Sequence, residues 1–222
     1  MSGFQGLSQE TYRFFWELAF HNNAAFFNEN RERYKTVVQQ PMQALVQELA
    51  PLMQQIDPEF DLRPSAVISR IRRDTRYTRD KTPYRDHVFF AFKHKGKTTG
   101  ESFVIYAEFE REQYGYGMGM YFSQPAIMRE MRERILARPS RFLELAEDPA
   151  FAQRFMLQGE DYKRMKMPDA DQRLQPWLNK KGFSYCYSCK DLKNTMLPSL
   201  VDELKQGYTL LKPMYRFLTG LD

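Results

Sequence analysis

The segment HVFFAFKHKGKTTGESFVIYAEFEREQYGYGMGMY, residues 87–121, decides the fold. HVFFAFKH (87–94) is aromatic and β-branched and ends in a Lys/Gly/Thr turn, so it reads as a strand. FVIYAEFE (103–110) reads as a second strand, apolar on both faces until Glu108. YGYGMGMY (114–121) reads as a third. There, side-chain alternation puts Tyr114, Tyr116, Met118 and Met120 on one face and three glycines on the other. A bare glycine face admits a close neighbour, and a packed helix is the first expectation, with another backbone or a ligand as the rivals. The short connections predict an antiparallel sheet. Upstream, SAVISRIRRD (65–74) reads as a further strand of that sheet, over residues 66–74.

Working outward, both flanks read as helical. Ser8 can cap a first helix, with Leu7 stapled onto Tyr12. Tyr12, Phe15, Trp16, Ala19 and Phe20 then recur at helical spacing, as one apolar face. Asn22-Asn23 ends that helix and can cap the next, which carries Phe27, Tyr34, Val38, Leu45, Leu49, Leu52 and Ile56 and is interrupted at Pro41. Beyond the sheet, Ile127, Met131 and Ile135 mark another helix, and Asp148-Pro149 separates two short ones. Residues 159–173 are polar and read as a surface loop. A short helix, a stop at Gly182 and a strand follow, and a last helix bends or splits near Pro213. The expectation is an α+β fold in a single domain over 1–222, with an antiparallel central sheet flanked by N-terminal and C-terminal helices. Its parts are helical 8–56, sheet-rich about 59–121, helical 124–180, a strand at 183–189 and a C-terminal helix at 197–218.

The chain has 222 residues, 42% of them hydrophobic and 15% aromatic, enough to bury a sizeable core. No apolar run approaches the roughly 18 residues of a membrane span, and the N-terminus has no secretory pattern. Two cysteines are too few for a disulfide framework. These features predict a cytoplasmic protein with no membrane association.

The net charge of +5 is concentrated in one place. RIRRDTRYTRDKTPYRDH, residues 70–87, sets seven Arg and Lys against three Asp. If its ends are adjacent strands, residues 74–86 form the connecting loop, and Pro83 partly fixes its path. Guanidinium forks suit phosphate and carboxylate. Arg70, Arg73, Arg76, Arg79, Lys81 and Arg85 are therefore the candidate anion-binding residues, with Tyr77 and Tyr84 able to stack a base or close the pocket. The rival reading is internal: Asp74, Asp80 and Asp86 can neutralise neighbouring arginines and make the loop a structural device. Three carboxylates leave four positive charges over.

Two stretches resemble a known family, domain of unknown function 2461. NNAAFFNENRERY (22–34) resembles its N-N-x-x-W-F-x-x-N-R-x-x-Y segment. The arginine-rich stretch resembles its R-D-x-R-F-s-x-D-K-x-P-Y hallmark, matching at Arg73, Asp74, Arg76, Asp80, Lys81, Pro83 and Tyr84. Phe26 and Tyr77 stand where the family has Trp and Phe, and both keep aromatic character. YGYGMGMY and MRERI (131–135) resemble its glycine-rich and R-x-x-I segments. The resemblance implies a shared fold and brings no established activity, ligand or cofactor.

Other constellations point less far. Cys186 and Cys189 have C-x-x-C spacing, but in a strand i and i+3 face opposite ways, which speaks against redox or zinc chemistry. His87 and His94 fall on opposite strand faces too, so no metal site and no cofactor are expected. The tandem Asn22-Asn23 suits a helix cap, and whichever amide the cap leaves spare can brace the arginine-rich loop. Glu108 and Glu110 share a strand face and read as surface residues. No recognised catalytic motif is present. Three functions stay open: a binding domain for a phosphate-bearing ligand, including a nucleotide or nucleic-acid backbone; an enzyme on such a ligand with Asp80 or Asp74 as acid–base; and a structural or interaction domain with a self-satisfied loop.

Overall fold

The aromatic-rich segment 87–121 forms three strands. The computed structural model describes residues 3–76 and 78–222. In it β1 (Val88–Phe92), β2 (Phe103–Phe109) and β3 (Tyr114–Met120) make a meander. A short strand β4 (Met156–Gln158) and β5 (Ser184–Cys189) complete an antiparallel sheet in the order β1-β2-β3-β5-β4. β4 lies inside a stretch expected to be helical. Only three residues long, it carries too little pattern to be read locally.

The glycines of β3 answer to β5 and not to a helix. A Cβ at Gly115 would lie 2.8 Å from the Tyr187 carbonyl oxygen, and one at Gly117 would collide with the Tyr185 carbonyl. Gly119 would collide with Ser184. The neighbouring strand's backbone fills the space, so only glycine fits along this face. The helix packs on the opposite face. There α10 (Leu200–Thr219) lies over Tyr114, Tyr116 and Met118, and its own Gly207 leaves room for the Tyr116 ring. Tyr208 of the same helix donates to the Tyr106 carbonyl at 3.0 Å. Pro213 does not break α10. It sits on the exposed side, where the carbonyl of Thr209 that it leaves unpaired reaches water.

On the N-terminal side, α1 (Gln9–Phe20) starts at Ser8, whose hydroxyl accepts from the Thr11 N–H in a reciprocal capping box. Its core side is Thr11, Tyr12, Phe14, Phe15 and Leu18. The expected face was rotated: Trp16 is 37% exposed and Phe20 is 78% exposed, the two rings stacked on the outside. α2 (Ala24–Glu29) and α3 (Arg31–Tyr34) lead into a π-helical turn, Lys35–Gln39, and then α4 (Gln40–Ile56), with Pro41 in its first turn. The interruption at Pro41 thus takes the form of a wide turn just before it. α6 and its neighbours close the other side: after α5 (Pro64–Val67) come α6 (Pro125–Ala137), α7 (Pro139–Ala146), α8 (Pro149–Arg154) and α9 (Gln175–Leu178). One continuous core runs from Phe4 to Leu218, so the chain is a single α+β domain.

Two details correct the expected strand at 66–74. Pro64 starts the helical turn α5, and beyond it the chain meets β1 at a single bridge, Ile68 to Phe90, with the Ser69 N–H donating to the Phe89 carbonyl at 2.8 Å. The segment therefore runs along the edge of β1 without joining the sheet as a strand. Arg132 of α6 is buried and donates to the carbonyls of Leu178 and Lys180, which ties α6 to the end of α9.

Gly117→Ala is expected to lower stability by about 2–3 kcal/mol, because the methyl group must displace the β5 backbone. Gly96→Ala, where a Cβ meets open space and only a positive φ of 78° opposes it, is expected to cost about 1 kcal/mol. Urea unfolding of both variants measures the difference.

Candidate functional site

The arginine-rich stretch folds as a narrow hairpin projecting from the end of the sheet where β1 begins. Its base is a backbone ladder: the Arg73 N–H donates to the Pro83 carbonyl and the Arg85 N–H to the Ile71 carbonyl, both at 2.8 Å, around the bridge between Arg72 and Tyr84. Pro83 contributes only the acceptor it has. The hairpin is pinned to the helical layer at Tyr84. Asn22 donates from Nδ2 to the Tyr84 carbonyl and accepts from the Tyr84 N–H, each at 2.9 Å. The Tyr84 ring stacks on Phe27 with centroids 4.4 Å apart. Asn23 is occupied elsewhere, capping α2 through the Phe26 N–H. The two stretches of family resemblance, 62 residues apart at their contact, meet at this point.

Each aspartate of the stretch has a cation. Asp80 takes the Arg73 guanidinium, which also reaches the Thr82 hydroxyl, and accepts the Thr82 N–H at 2.9 Å. Asp74 holds Arg76 through paired bonds of 3.0 and 2.7 Å. Asp86 binds Arg111, which comes from the β2–β3 turn, at 3.2 Å. The Arg76 fork holds the Asp74 carboxyl down to about 2, and Arg73, helped by Thr82, does the same to Asp80. Lys81 donates to the Thr75 carbonyl at 2.8 Å, and Arg85 to the Arg70 carbonyl while lying 5.5 Å from the Phe89 ring. Arg70, Arg72, Arg79 and Lys81 are exposed and form no ion pair among the described residues. Tyr77 lies outside the described residues. Tyr84 is buried in the brace, so its ring is not available to a ligand. Arg73 and Arg76 are engaged by carboxylates.

A second feature at the hairpin's foot is not apparent from local sequence. His87 lies between two carboxylates, 3.2 Å from Asp86 at Nδ1 and 3.4 Å from Glu108 at Nε2. Burial pushes the Glu108 carboxyl up, with His87 opposing it. Glu108 is therefore no simple surface residue. A cavity of about 100 Å³ opens here, lined by Asp86, His87, Glu110, Arg111 and Glu112. Arg111 also lies 4.6 Å over the Trp16 ring, which accounts for that exposed indole. The tip of the hairpin is thus cationic and its foot predominantly acidic. A carboxyl with raised affinity for its proton beside an imidazole is chemistry suited to proton transfer. Only the strand register, which sets Glu108 opposite Phe89, brings the pair together.

The remaining sequence candidates are structural. Cys186 and Cys189 are free thiols in β5, and burial pushes the Cys186 thiol up, away from reactivity. His94 donates its ring into a buried network with Asp57, 2.7 Å away, whose carboxylate also accepts from the Tyr215 hydroxyl at 3.0 Å. Among the described residues, no group of three metal-ligating side chains is gathered, and no helix is long and apolar enough to cross a membrane.

Asn22→Ala is expected to cost about 1–2 kcal/mol, since it strands both backbone groups of Tyr84. Asn22→Asp keeps the acceptor and loses the donor, and should fall between the two. Unfolding curves, with amide exchange at residues 71–73 and 83–85, report it. Acid should release the hairpin in a defined window. The folded values of Asp74 and Asp80 lie below those of an unfolded chain, so their ties are complete above about pH 4 and lost as the pH falls toward 2. Carboxyl chemical shifts of the two aspartates, followed by NMR through that range, check the window.

No curated protein matches the chain. Its residues 10–217 match the model of the family described as "Conserved hypothetical protein (DUF2461)", which covers both the brace and the hairpin. On that match the chain belongs to the DUF2461 family.

Proposed function

We propose that the protein is a cytoplasmic binding domain for a phosphate-bearing or otherwise anionic ligand, held at the outer side of the arginine hairpin. One observation carries the reading: the hairpin is braced from outside at Tyr84 and at Asp86, its aspartates are all engaged, and Arg70, Arg72, Arg79 and Lys81 still keep no carboxylate partner among the described residues. Cations on a pre-set backbone bind an anion with less ordering cost than cations on a floppy loop. Arginine forks and a lysine point charge both suit phosphate oxygens. The acidic foot repels the same ligand, so binding is confined to the tip.

A second reading, an enzyme acting on a phosphorylated substrate, draws on the contact between His87 and Glu108. Asp74 and Asp80 suit that role poorly, because carboxyls held near 2 neither donate a proton near neutrality nor take one up readily. In that reading Glu108→Gln removes turnover and leaves ligand affinity unchanged.

The test is thermal unfolding with inorganic phosphate, mononucleotides and sugar phosphates, beside Arg79→Ala/Lys81→Ala. Both side chains are exposed, so the unliganded variant should melt with the parent. A compound at about 100 times its dissociation constant should stabilise the parent by about 2.7 kcal/mol and leave the variant unmoved. If no phosphate-bearing compound raises the parent's melting temperature, the hairpin is scaffold and the proposal fails.

A further inference from the structure

The opposite end of the sheet carries a different surface. β1 ends there, β2 begins, β3 ends and β5 begins, as the register Phe103 to Met120 and Gly119 to Ser184 requires. Directly after β3 stand Tyr121 and Phe122, 74% and 61% exposed, with ring centroids 4.6 Å apart at 80°. Two adjacent, outward aromatic rings are unusual on a surface that meets only water. They are held in place: Ser123 donates to the Lys181 carbonyl at 2.6 Å, and the Phe122 ring lies over Gly100, where a Cβ would stand 3.3 Å away.

Lys181 also lines a cleft of about 500 Å³, with Tyr162, Lys163, Arg164, Met165 and Lys166. The acidic residues that precede the cleft are spent, Glu160 on Lys181 and Asp161 on Lys180. Lys163, Arg164 and Lys166 are exposed and form no ion pair among the described residues. The Lys166 ammonium rests 4.4 Å from the Tyr162 ring centroid, which helps fix the cleft wall. The rings and the cleft are joined through the Ser123–Lys181 bond.

We infer that this surface binds single-stranded nucleic acid, with Tyr121 and Phe122 stacking unpaired bases and Lys163, Arg164 and Lys166 neutralising the backbone phosphates in the cleft. Cations along a groove beside exposed rings is how single strands are held without sequence readout. A duplex hides its base faces and cannot use the rings. An anionic bilayer would meet the rings, but a flat surface does not enter a cleft, whereas a flexible phosphate chain does. The site is independent of the arginine hairpin, which lies at the other end of the sheet.

The experiment is fluorescence anisotropy of labelled oligothymidylate and oligouridylate of about 15 nucleotides, a length within the span such grooves cover. A duplex of equal length and phosphatidylserine-containing vesicles serve as competitors, and a salt series is run for each protein. Binding should be weakened roughly tenfold or more by Tyr121→Ala/Phe122→Ala, as expected for lost stacking. Lys163→Ala/Arg164→Ala/Lys166→Ala should lower the slope of log affinity against log salt by about 2. Arg79→Ala/Lys81→Ala at the hairpin should leave both quantities unchanged. All these side chains are exposed, and the variants' melting temperatures verify folding. The inference is overturned if neither oligonucleotide binds, if the duplex or the vesicles compete as well as the single strand, or if only the hairpin variant loses affinity. Loss in the hairpin variant alone would instead credit the anion site proposed above, so the two readings fail separately.

Discussion

The approach of the β5 backbone to the glycine face of β3 is the constraint on which the rest of the architecture depends. With any side chain at Gly117, the Tyr185 carbonyl would have to retreat and the pairing of β3 with β5 would open. Because that face is filled by backbone, the aromatic face of β3 is free to take the long C-terminal helix. Tyr116 sits at the crossing, under Gly207, and its hydroxyl accepts from Arg154, which in turn pairs with Glu203. Burial and the loss of water around Tyr116 push its hydroxyl's proton affinity up, so it stays a neutral partner for that guanidinium. One strand therefore specifies two of its neighbours, β5 by what it lacks and α10 by what it carries.

That sheet also keeps the two charged regions apart. The arginine hairpin leaves from the end where β1 begins, and the aromatic rings and lysine cleft stand at the end where β1 finishes. Over such a separation exposed charges are screened from one another by physiological salt. Each cationic surface acts on its own surroundings, and the near-neutral balance of the remaining chain does not blur them. A second cationic cluster, Lys163, Arg164 and Lys166, escapes a count along the chain because it is short and acidic neighbours mask it.

Much of the fold was legible in the residues. Ser8 and Asn23 act as caps because a hydroxyl or amide before a helix has few better partners than the N–H groups left open there. The three strands of the meander carry aromatic signals, with Val and Ile added in β1 and β2, and the cysteines lie in the strand expected for them. The misreadings have physical causes. The face of α1 was misplaced because Trp16 is covered by Arg111, a partner 95 residues away that periodicity does not see. SAVISRIRRD has strand composition, yet Pro64 sets a helical turn and the edge of β1 takes only single bridges. The pairing of His87 with Glu108 is a cross-strand event, and the anchoring of Tyr84 on Phe27 and Asn22 is a long-range one that local sequence does not display.

The hairpin's own motif can be divided by what folding already explains. Tyr84 is accounted for by Phe27 and Asn22, Arg73 by Asp80 and Thr82, Asp74 and Arg76 by each other, and Pro83 by the carbonyl it gives to the ladder. Lys81 is the member that folding explains least. Its ammonium spends one of three donors on the Thr75 carbonyl, a bond between exposed groups that adds little to stability. The same position, between a fixed Asp80 and Thr82, holds that charge at the tip with two donors unspent among the described residues. A residue that contributes so little to the folded state, on a backbone held so firmly by its neighbours, is where a ligand's binding energy has the least competition from the protein itself.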